Sequence, residues 1–467
     1  MSDLSEINTK KAKSSPKQFK RNTGLWISIL YFSEGFPYTL VNTMSIVFLK
    51  GLGTSNEIIG LTSFLSLPWV LKGLWAPIVD VYATKRKWIL AIEILCILLF
   101  TILGLVALLP KSLAISGAIG ILAYIAFCSA THDIAIDGFY LNTLNKDQQA
   151  FFVGVRNTAY RIAMLSGGGF LVFLAGKIAE GYITGKDAQG ANIYSDVVLP
   201  VFGRVYPLQW GWAIAFFISA LLMTAIYVFQ RFYLPHPITY KTQTEIDSPL
   251  QGFFQAFPSY FSQDRIGWVL AFVLLFRLGD ALTFKMATPF LMDPIDQGGM
   301  NISTADIGIL TGTIGVIFLL VGGLLGGFII AKQGLRKWIW PMAIMQNTTN
   351  LLYWQLAMHQ PSIVWAYIVN SIEQFTYGLG VAAYTVFLMR TVRPEYKASH
   401  YAITTGFMAL GVLVPGLFSG YIQKMLGYQN YFLFSALMVI PGMLTIFFLP
   451  LQEPTKEELA DLENNMD

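Results

Sequence analysis

IGLTSFLSLPWVLKGLWAPIVDVYATKRKWI, residues 59–89, and IGILTGTIGVIFLLVGGLLGGFIIAKQGLRKWI, residues 307–339, are one pattern written twice, about 250 positions apart. Each opens on an Ile-Gly word, Ile59-Gly60-Leu61 or Ile307-Gly308-Ile309, and runs on through an apolar stretch. Each ends on a basic-Trp word, Lys85-Arg86-Lys87-Trp88-Ile89 or Leu335-Arg336-Lys337-Trp338-Ile339. Glu34, upstream of the first copy, has Asp280 as its counterpart upstream of the second. Three matches in register argue for an internal repeat. The apolar runs reach the length of about 20 residues that a bilayer demands, so the repeated unit reads as a membrane helix leading into a basic loop.

Composition extends that reading to the whole chain. Of 467 residues, 55% are hydrophobic and 12% charged, where a soluble domain carries about 25% charged. Apolar stretches lie near 24–49, 57–80, 88–109, 113–141, 151–175, 209–231, 264–291, 304–330, 337–358, 362–390, 400–421 and 430–450. The expected fold is an all-α membrane protein with about 12 transmembrane helices in two pseudo-symmetric six-helix bundles, the architecture of the major facilitator superfamily. The expected organisation is a basic cytoplasmic tail (1–23), an N-terminal bundle (24–231), a central cytoplasmic loop (232–263), a C-terminal bundle (264–450) and an acidic cytoplasmic tail (451–467). Phe253, Phe254, Phe257 and Phe261 have helical spacing and predict an interfacial helix in the central loop. The polar segment from Lys177 to Gln209 is expected outside. Gly322-Gly323 and Gly326-Gly327 predict close helix packing.

Lys10, Lys11, Lys13, Lys17, Lys20 and Arg21 make the first residues polar, with no cleavable signal pattern. With that tail inside, about 20 Lys/Arg fall in cytoplasmic segments and about 6 in external ones, so both termini are predicted to be cytoplasmic. The same rule accounts for the basic tail without a nucleic-acid partner. Cys96 and Cys128 both fall within spans and suggest neither a disulfide framework nor a metal site.

The apolar stretches also contain Glu34, Lys72, Glu93, Asp133, Asp137, Arg156, Arg161, Arg277, Asp280, Lys285 and Glu373. Each costs about 2.5–3.5 kcal/mol at a helix centre, so left unpaired the set would cost on the order of 30 kcal/mol, more than a fold's net stability. These side chains must pair with one another or line a watery cavity. At 1.5 Å of rise per residue, Glu34, Arg161, Arg277, Asp280 and Glu373 fall near the midplane. Tyr31, Glu34, Tyr38 and Asn42 form one stripe on helix 1, and Glu373, Tyr377, Gly380 and Tyr384 another on helix 10. Carboxylates beside phenol rings suit a sugar, though a tyrosine packing seam has the same spacing. Arg277 and Asp280, three apart, can pair within helix 7 or face a ligand. Lys285 either draws in an anionic substrate or pairs with Asp293.

Asp133 and Asp137 share a face of helix 4, with Lys72 at similar depth on helix 2. Two close carboxylates disfavour double ionisation, which suits a proton site; a network of ion pairs closing the cytoplasmic side is the other reading. Arg161 is the better placed guanidinium to grip a carboxylate. Arg156 and Asp80, nearer the cytoplasmic surface, fit gate pairs. Glu93 has no evident partner, and His132 reads as a packing or polar-contact residue.

Several words then resemble the AmpG-type muropeptide permeases: Phe127-Cys128-Ser129-Ala130-Thr131-His132-Asp133-Ile134-Ala135-Ile136-Asp137, Val70-Leu71-Lys72-Gly73-Leu74-Trp75-Ala76-Pro77 with Asp80, and Tyr160-Arg161-Ile162-Ala163-Met164-Leu165-Ser166-Gly167-Gly168. In the second half, Leu278-Gly279-Asp280-Ala281, Asn350-Leu351-Leu352-Tyr353-Trp354, Glu373 with Gly378-Leu379-Gly380, and Ser399-His400-Tyr401-Ala402 follow the same family pattern. The resemblance implies an inner-membrane, proton-driven importer of peptidoglycan fragments built on N-acetylglucosamine and anhydro-N-acetylmuramic acid, from a Gram-negative bacterium, and a central cavity lined by helices 1, 4, 7 and 10. Departures at His132, Tyr377 and Val412 leave room for a smaller N-acetylated amino sugar such as N-acetylmuramic acid. The family is also distantly similar to acetyl-CoA transporters.

The resulting expectation is alternating access by a monomer with no cofactor beyond the proton gradient. Tyr38, Arg161, Arg277, Asp280, Lys285, Glu373 and Tyr384 are expected to bind substrate. Glu34, Asp133 and Asp137 are expected to carry the proton, and Lys72, Asp80 and Arg156 to form gate or charge pairs. A polytopic enzyme is the rival class, against which stands the lack of an HExxH or GxSxG word.

Overall fold

In a computed structural model of the chain, residues 23–186, 192–235, 258–391 and 397–451 are described. They form twelve helical segments in the expected order: α1 (23–51), α2 (56–81), α3 (Lys85–Ala107), α4 (Lys111–Thr143), α5 (146–180), α6 (Pro207–Tyr233), α7 (266–292), α8 (304–333), α9 (335–359), α10 (Ile363–Arg390), α11 (397–426) and α12 (428–448). Eight continuous stretches are long and apolar enough to cross a membrane. One of these, Ile403–Phe448, holds both α11 and α12, which part at Gly427, where φ is +70°. The remaining three, α1, α9 and α10, carry polar stripes. The basic tail, Phe253, Phe254 and Phe257 of the expected interfacial helix, and the acidic tail lie outside the described residues.

The all-α expectation needs one amendment. Between α5 and α6 the chain forms two short antiparallel hairpins, β1 (Ile183–Lys186) with β2 (Asn192–Tyr194) and β3 (Val197–Leu199) with β4 (Gly203–Val205). Each strand runs over only three or four positions, too short to stand out in sequence.

Several helices are interrupted where they line the middle of the protein. α-Helical geometry gives way to π-helix at Leu40–Met44 in α1, Leu165–Leu171 in α5 and Gly308–Gly315 in α8. It tightens to 3₁₀ at Thr62–Ser66 and Lys72–Leu74 in α2. Helix α7 breaks into Ile266–Leu275 and Leu278–Met292, with Phe276 and Arg277 between them. Such irregular turns are frequent at functional sites, because they free backbone groups and re-aim side chains.

Packing within each half is dense: α1 lies on α4 and α5, α3 on α4 and α6, α8 and α9 on α10, and α7 on α11 and α12. Gly322 meets the backbone of Phe375, so the glycine pairs of α8 serve the close α8–α10 packing expected of them. Between the halves, the π-segments of α5 and α8 cross, and the start of α2 lies on α11. Both crossings need glycine. A Cβ on Gly312 would collide with the backbone of Gly168, and one on Gly420 with that of Asn56.

The buried core distinguishes the two ends. One continuous cluster runs through both halves at the end distal to the termini, from Phe36, Phe48, Phe100 and Trp212 to Phe290, Tyr428 and Phe432. At the other end the halves keep separate cores: Trp26, Ile89, Phe139 and Phe152 in the first, and Phe272, Ile339, Met342 and Phe387 in the second. Following the predicted orientation, these ends are called outer and inner. The two bundles thus share a core at the outer end and keep separate cores at the inner end.

Candidate functional site

Three charged assemblies occupy the interior, and their membership follows from helix spacing. Tyr31 and Glu34, one turn apart on α1, face Asp133 and Asp137, one turn apart on α4. Lys72 of α2 donates to Asp133. Tyr31 donates its hydroxyl to Asp137 Oδ1 at 3.0 Å and accepts from Arg156 Nη1 at 3.2 Å. Arg156 completes the set with an ion pair to Asp137 at 3.5 Å and stacks over Tyr31, 4.7 Å from its ring centre. Three carboxyl groups thus share two fixed cations, and one proton would neutralise the assembly.

All of these residues belong to the first half. Lys72 and Arg156 thus form the charge pairs expected of them, tying α2 and α5 to α4 and α1, and no bond from either to the second bundle is found among the described residues. The side chain of Asp80, the third expected gate residue, lies outside the described ones.

The second assembly belongs to α7, α9 and α10. Asp280 accepts from Gln346 Nε2 and, at 3.2 Å, from Asn350 Nδ2. Glu373 accepts from the neighbouring Gln374 at 2.7 Å. Arg277 donates to the hydroxyl of Tyr377. The expected Arg277–Asp280 pair within a helix does not form, because the break at Phe276–Arg277 takes Arg277 out of register with Asp280. Tyr384 is displaced from the expected substrate set. It is 2% exposed, stacked on Phe276 with centroids 5.4 Å apart, and its hydroxyl donates to the Val273 carbonyl at 2.9 Å. It packs α10 onto α7.

Between the two assemblies lies an aromatic wall. Tyr38 meets Trp69 edge-on at 5.1 Å and Tyr160 at 6.0 Å, and both Arg161 and Arg277 lie close enough to act on it electrostatically. Arg161 reaches Met164 Sδ at 3.3 Å, and no ion pair to it is found among the described residues. Lys285 donates to Thr62 Oγ1 of α2 at 2.9 Å, across the two halves. The expected Lys285–Asp293 pair is not made, because Asp293 is taken by Lys50.

That bond belongs to an outer latch which periodicity did not reveal. Lys50 Nζ and Asp293 Oδ1 are 2.5 Å apart, each side chain 8% exposed. Lys50 also donates to Asn56 Oδ1 at 2.7 Å, and Asn56 donates to Gln423 and Tyr428, both at 2.8 Å. Tyr428 donates to Asp293 Oδ2 at 2.5 Å. Lys424 pairs with Glu57 farther out. Helices α1 and α2 are thereby bonded to α7, α11 and α12. Beyond the latch is an outer cavity of about 1050 Å³, lined by Lys50, Asp293 and Tyr428 and by Tyr194 and Tyr206 of the hairpin segment. One signal was available in the sequence: Lys50 and Asp293 end the corresponding helices α1 and α7 with opposite charges.

Known proteins place this geometry. The family model described as acetyl-coenzyme A transporter 1 matches residues 25–243. An uncharacterized protein of Haemophilus influenzae is 29% identical over 91% of this chain and 93% of its own. The anhydromuropeptide permease of Escherichia coli is 22% identical over 92% of this chain and 80% of its own. Among solved structures, a bacterial homologue of the human lysosomal transporter Spinster, in an inward-facing and unoccupied conformation, superposes with a TM-score of 0.65 at 15% identity, covering 93% of this chain and 97% of that one. The chain is a multi-pass membrane protein with the fold of these solved transporters, and over most of its length it is similar to the AmpG-type permeases.

Proposed function

We propose that this transporter imports peptidoglycan-derived muropeptides across the bacterial inner membrane, coupled to protons, with both termini in the cytoplasm. The observation that carries the reading is the set of cations in the interior. Lys50, Lys72 and Arg156 each have a carboxylate partner, whereas Arg161 and Lys285 have none among the described residues. Both stand near Tyr38, Trp69 and Tyr160 or at the seam that those rings flank. A ligand with carboxylate groups and flat sugar faces supplies what this surface lacks, and the Escherichia coli relative is named for such a ligand.

In this mechanism Arg161 grips a substrate carboxylate while Arg277 and Lys285 approach from the second half, so ligand binding draws the bundles together. Asp280 and Glu373, with amide partners, take sugar hydroxyls. The excess carboxyl group in the Glu34–Asp133–Asp137 set takes up a proton from outside and delivers it inside, which couples transport to the gradient with no cofactor. One chain contains every group invoked, so the unit of transport is a monomer.

A smaller ligand is favoured by one contact. Tyr377 already occupies part of Arg277, which narrows the second half of the site. Purified protein should therefore be tested against anhydromuropeptide, N-acetylmuramic acid and N-acetylglucosamine side by side. The two carboxylates should bind and the neutral sugar should not. Arg161→Ala should weaken carboxylate binding about 10- to 100-fold, the worth of a charged hydrogen bond, and equal binding of all three ligands would refute the reading. Uptake into vesicles indifferent to a collapsed proton gradient would remove the coupling.

A further inference from the structure

The mechanism leaves one pair of titratable side chains unused. Glu93 of α3 and His132 of α4 are both 0% exposed, with Oε1 and Nε2 3.9 Å apart. Neither carboxylate oxygen and neither ring nitrogen has a hydrogen-bond partner among the described residues. The nearest polar neighbour, Ser33 of α1, is committed elsewhere: its hydroxyl donates to the Leu30 carbonyl at 2.7 Å and accepts from Gln230 of α6 at 3.0 Å. An isolated ion in this setting would be heavily penalised. Together the two side chains hold one exchangeable proton with no net charge, and they stand about 0.7 Å beyond hydrogen-bond reach, a gap that a small side-chain rotation closes.

We propose that Glu93 and His132 form a positioning dyad for the inner carboxylates, fixing the rotation of α4 so that Asp133 is held toward Lys72 and Glu34. Successive residues on a helix point about 100° apart, so anchoring His132 on α3 sets the direction of the next side chain, Asp133. The neighbouring helix repeats the arrangement, since Ser33 backs onto the dyad while Glu34, next in sequence, turns to Asp133. The groups facing the dyad from the packed elements are Asp133 on α4, Cys96 on α3, and the neutral Ser33 of α1 and Gln230 of α6. The inference rests on the proton-coupled reading.

Its test uses anhydromuropeptide uptake into vesicles under an imposed pH gradient. Glu93→Leu and His132→Leu should each slow uptake about tenfold with KM unchanged, and the double substitution should be no worse than either alone, because the two residues act as one unit. The pH profile of uptake should move in both leucine variants. Glu93→Gln, which retains a polar group able to hydrogen-bond the imidazole once the same rotation closes the gap, should recover most of the rate. Additive losses, or a pH profile superimposable on that of the unaltered protein, would overturn the dyad. A second readout needs no substrate: the infrared carboxyl band of purified protein that Asp133→Asn removes should shift in Glu93→Leu. Unaltered protein that fails to take up muropeptide defeats the functional reading, whereas an Asp133 band indifferent to Glu93 defeats the dyad. If the leucine variants do not accumulate, Glu93→Asp decides: too short to reach His132, it should be more impaired than Glu93→Gln, and the reverse order overturns the proposal.

Discussion

The inner carboxylate assembly and the outer latch are built from similar groups and do opposite work. Around Asp133 and Asp137, every bond found among the described residues stays within the first bundle, so in the proposed alternating access the assembly would move as a body and keep its partners. Around Asp293, the bonds from Lys50 and Asn56 join the bundles while that from Tyr428 stays within the second, so parting the outer ends would break the first two. What a charge pair does in a rocking transporter is decided less by its chemistry than by whether its partners belong to the same moving part.

The largest test of that difference is at Lys50 and Asp293. Removing one partner of a buried pair costs about 3–5 kcal/mol. Asp293→Ala should accordingly move the population from outer-closed to outer-open, read as labelling of a cysteine placed at Ser63. Restoring the match with Lys50→Met and Asp293→Leu together should recover most of the closure, and an unchanged labelling rate in Asp293→Ala would break the comparison. Next is Gly312→Ala, which sets a methyl group against the Gly168 backbone. Overpacking at such a crossing costs about 1–3 kcal/mol, and the same labelling should rise, with no change in binding to a protein already open outside. A smaller effect is expected from Thr62→Val, which strips Lys285 of its acceptor. One hydrogen bond is worth about 1 kcal/mol, so outer labelling should rise a few-fold. Smallest is Asp137→Asn, where the pair is 33% and 41% exposed. A half-solvated pair contributes about 1 kcal/mol at most, and because it lies within one half, outer labelling should not respond.

The sequence made some of this legible. The order of the helical segments and the two halves can be read because a bilayer needs long apolar runs and because the basic-Trp words repeat. The Lys72–Asp133 and Arg156–Asp137 pairs are accessible to depth counting, since both partners sit at similar distances from a span's end. The latch escapes that reasoning: Asn56, Gln423 and Tyr428 are unremarkable polar residues near helix ends, and only the fold brings them to one point. Arg277 misleads for a local reason, as helical spacing presumes an unbroken helix and α7 breaks beside it. Tyr384 lies on the same face as Glu373, but three turns inward that face meets the backbone of α7 instead of the cavity. The all-helical expectation missed the hairpins because strands of three residues leave no period to detect.

The latch also sets a limit to the symmetry of the two halves. Lys50 and Asp293 end the corresponding first helices, but the register that pairs Glu34 with Asp280 sets Lys50 opposite Asp296 and Asp293 opposite Val47. The fastening is therefore not one position carried twice, and likeness between the halves does not by itself supply it.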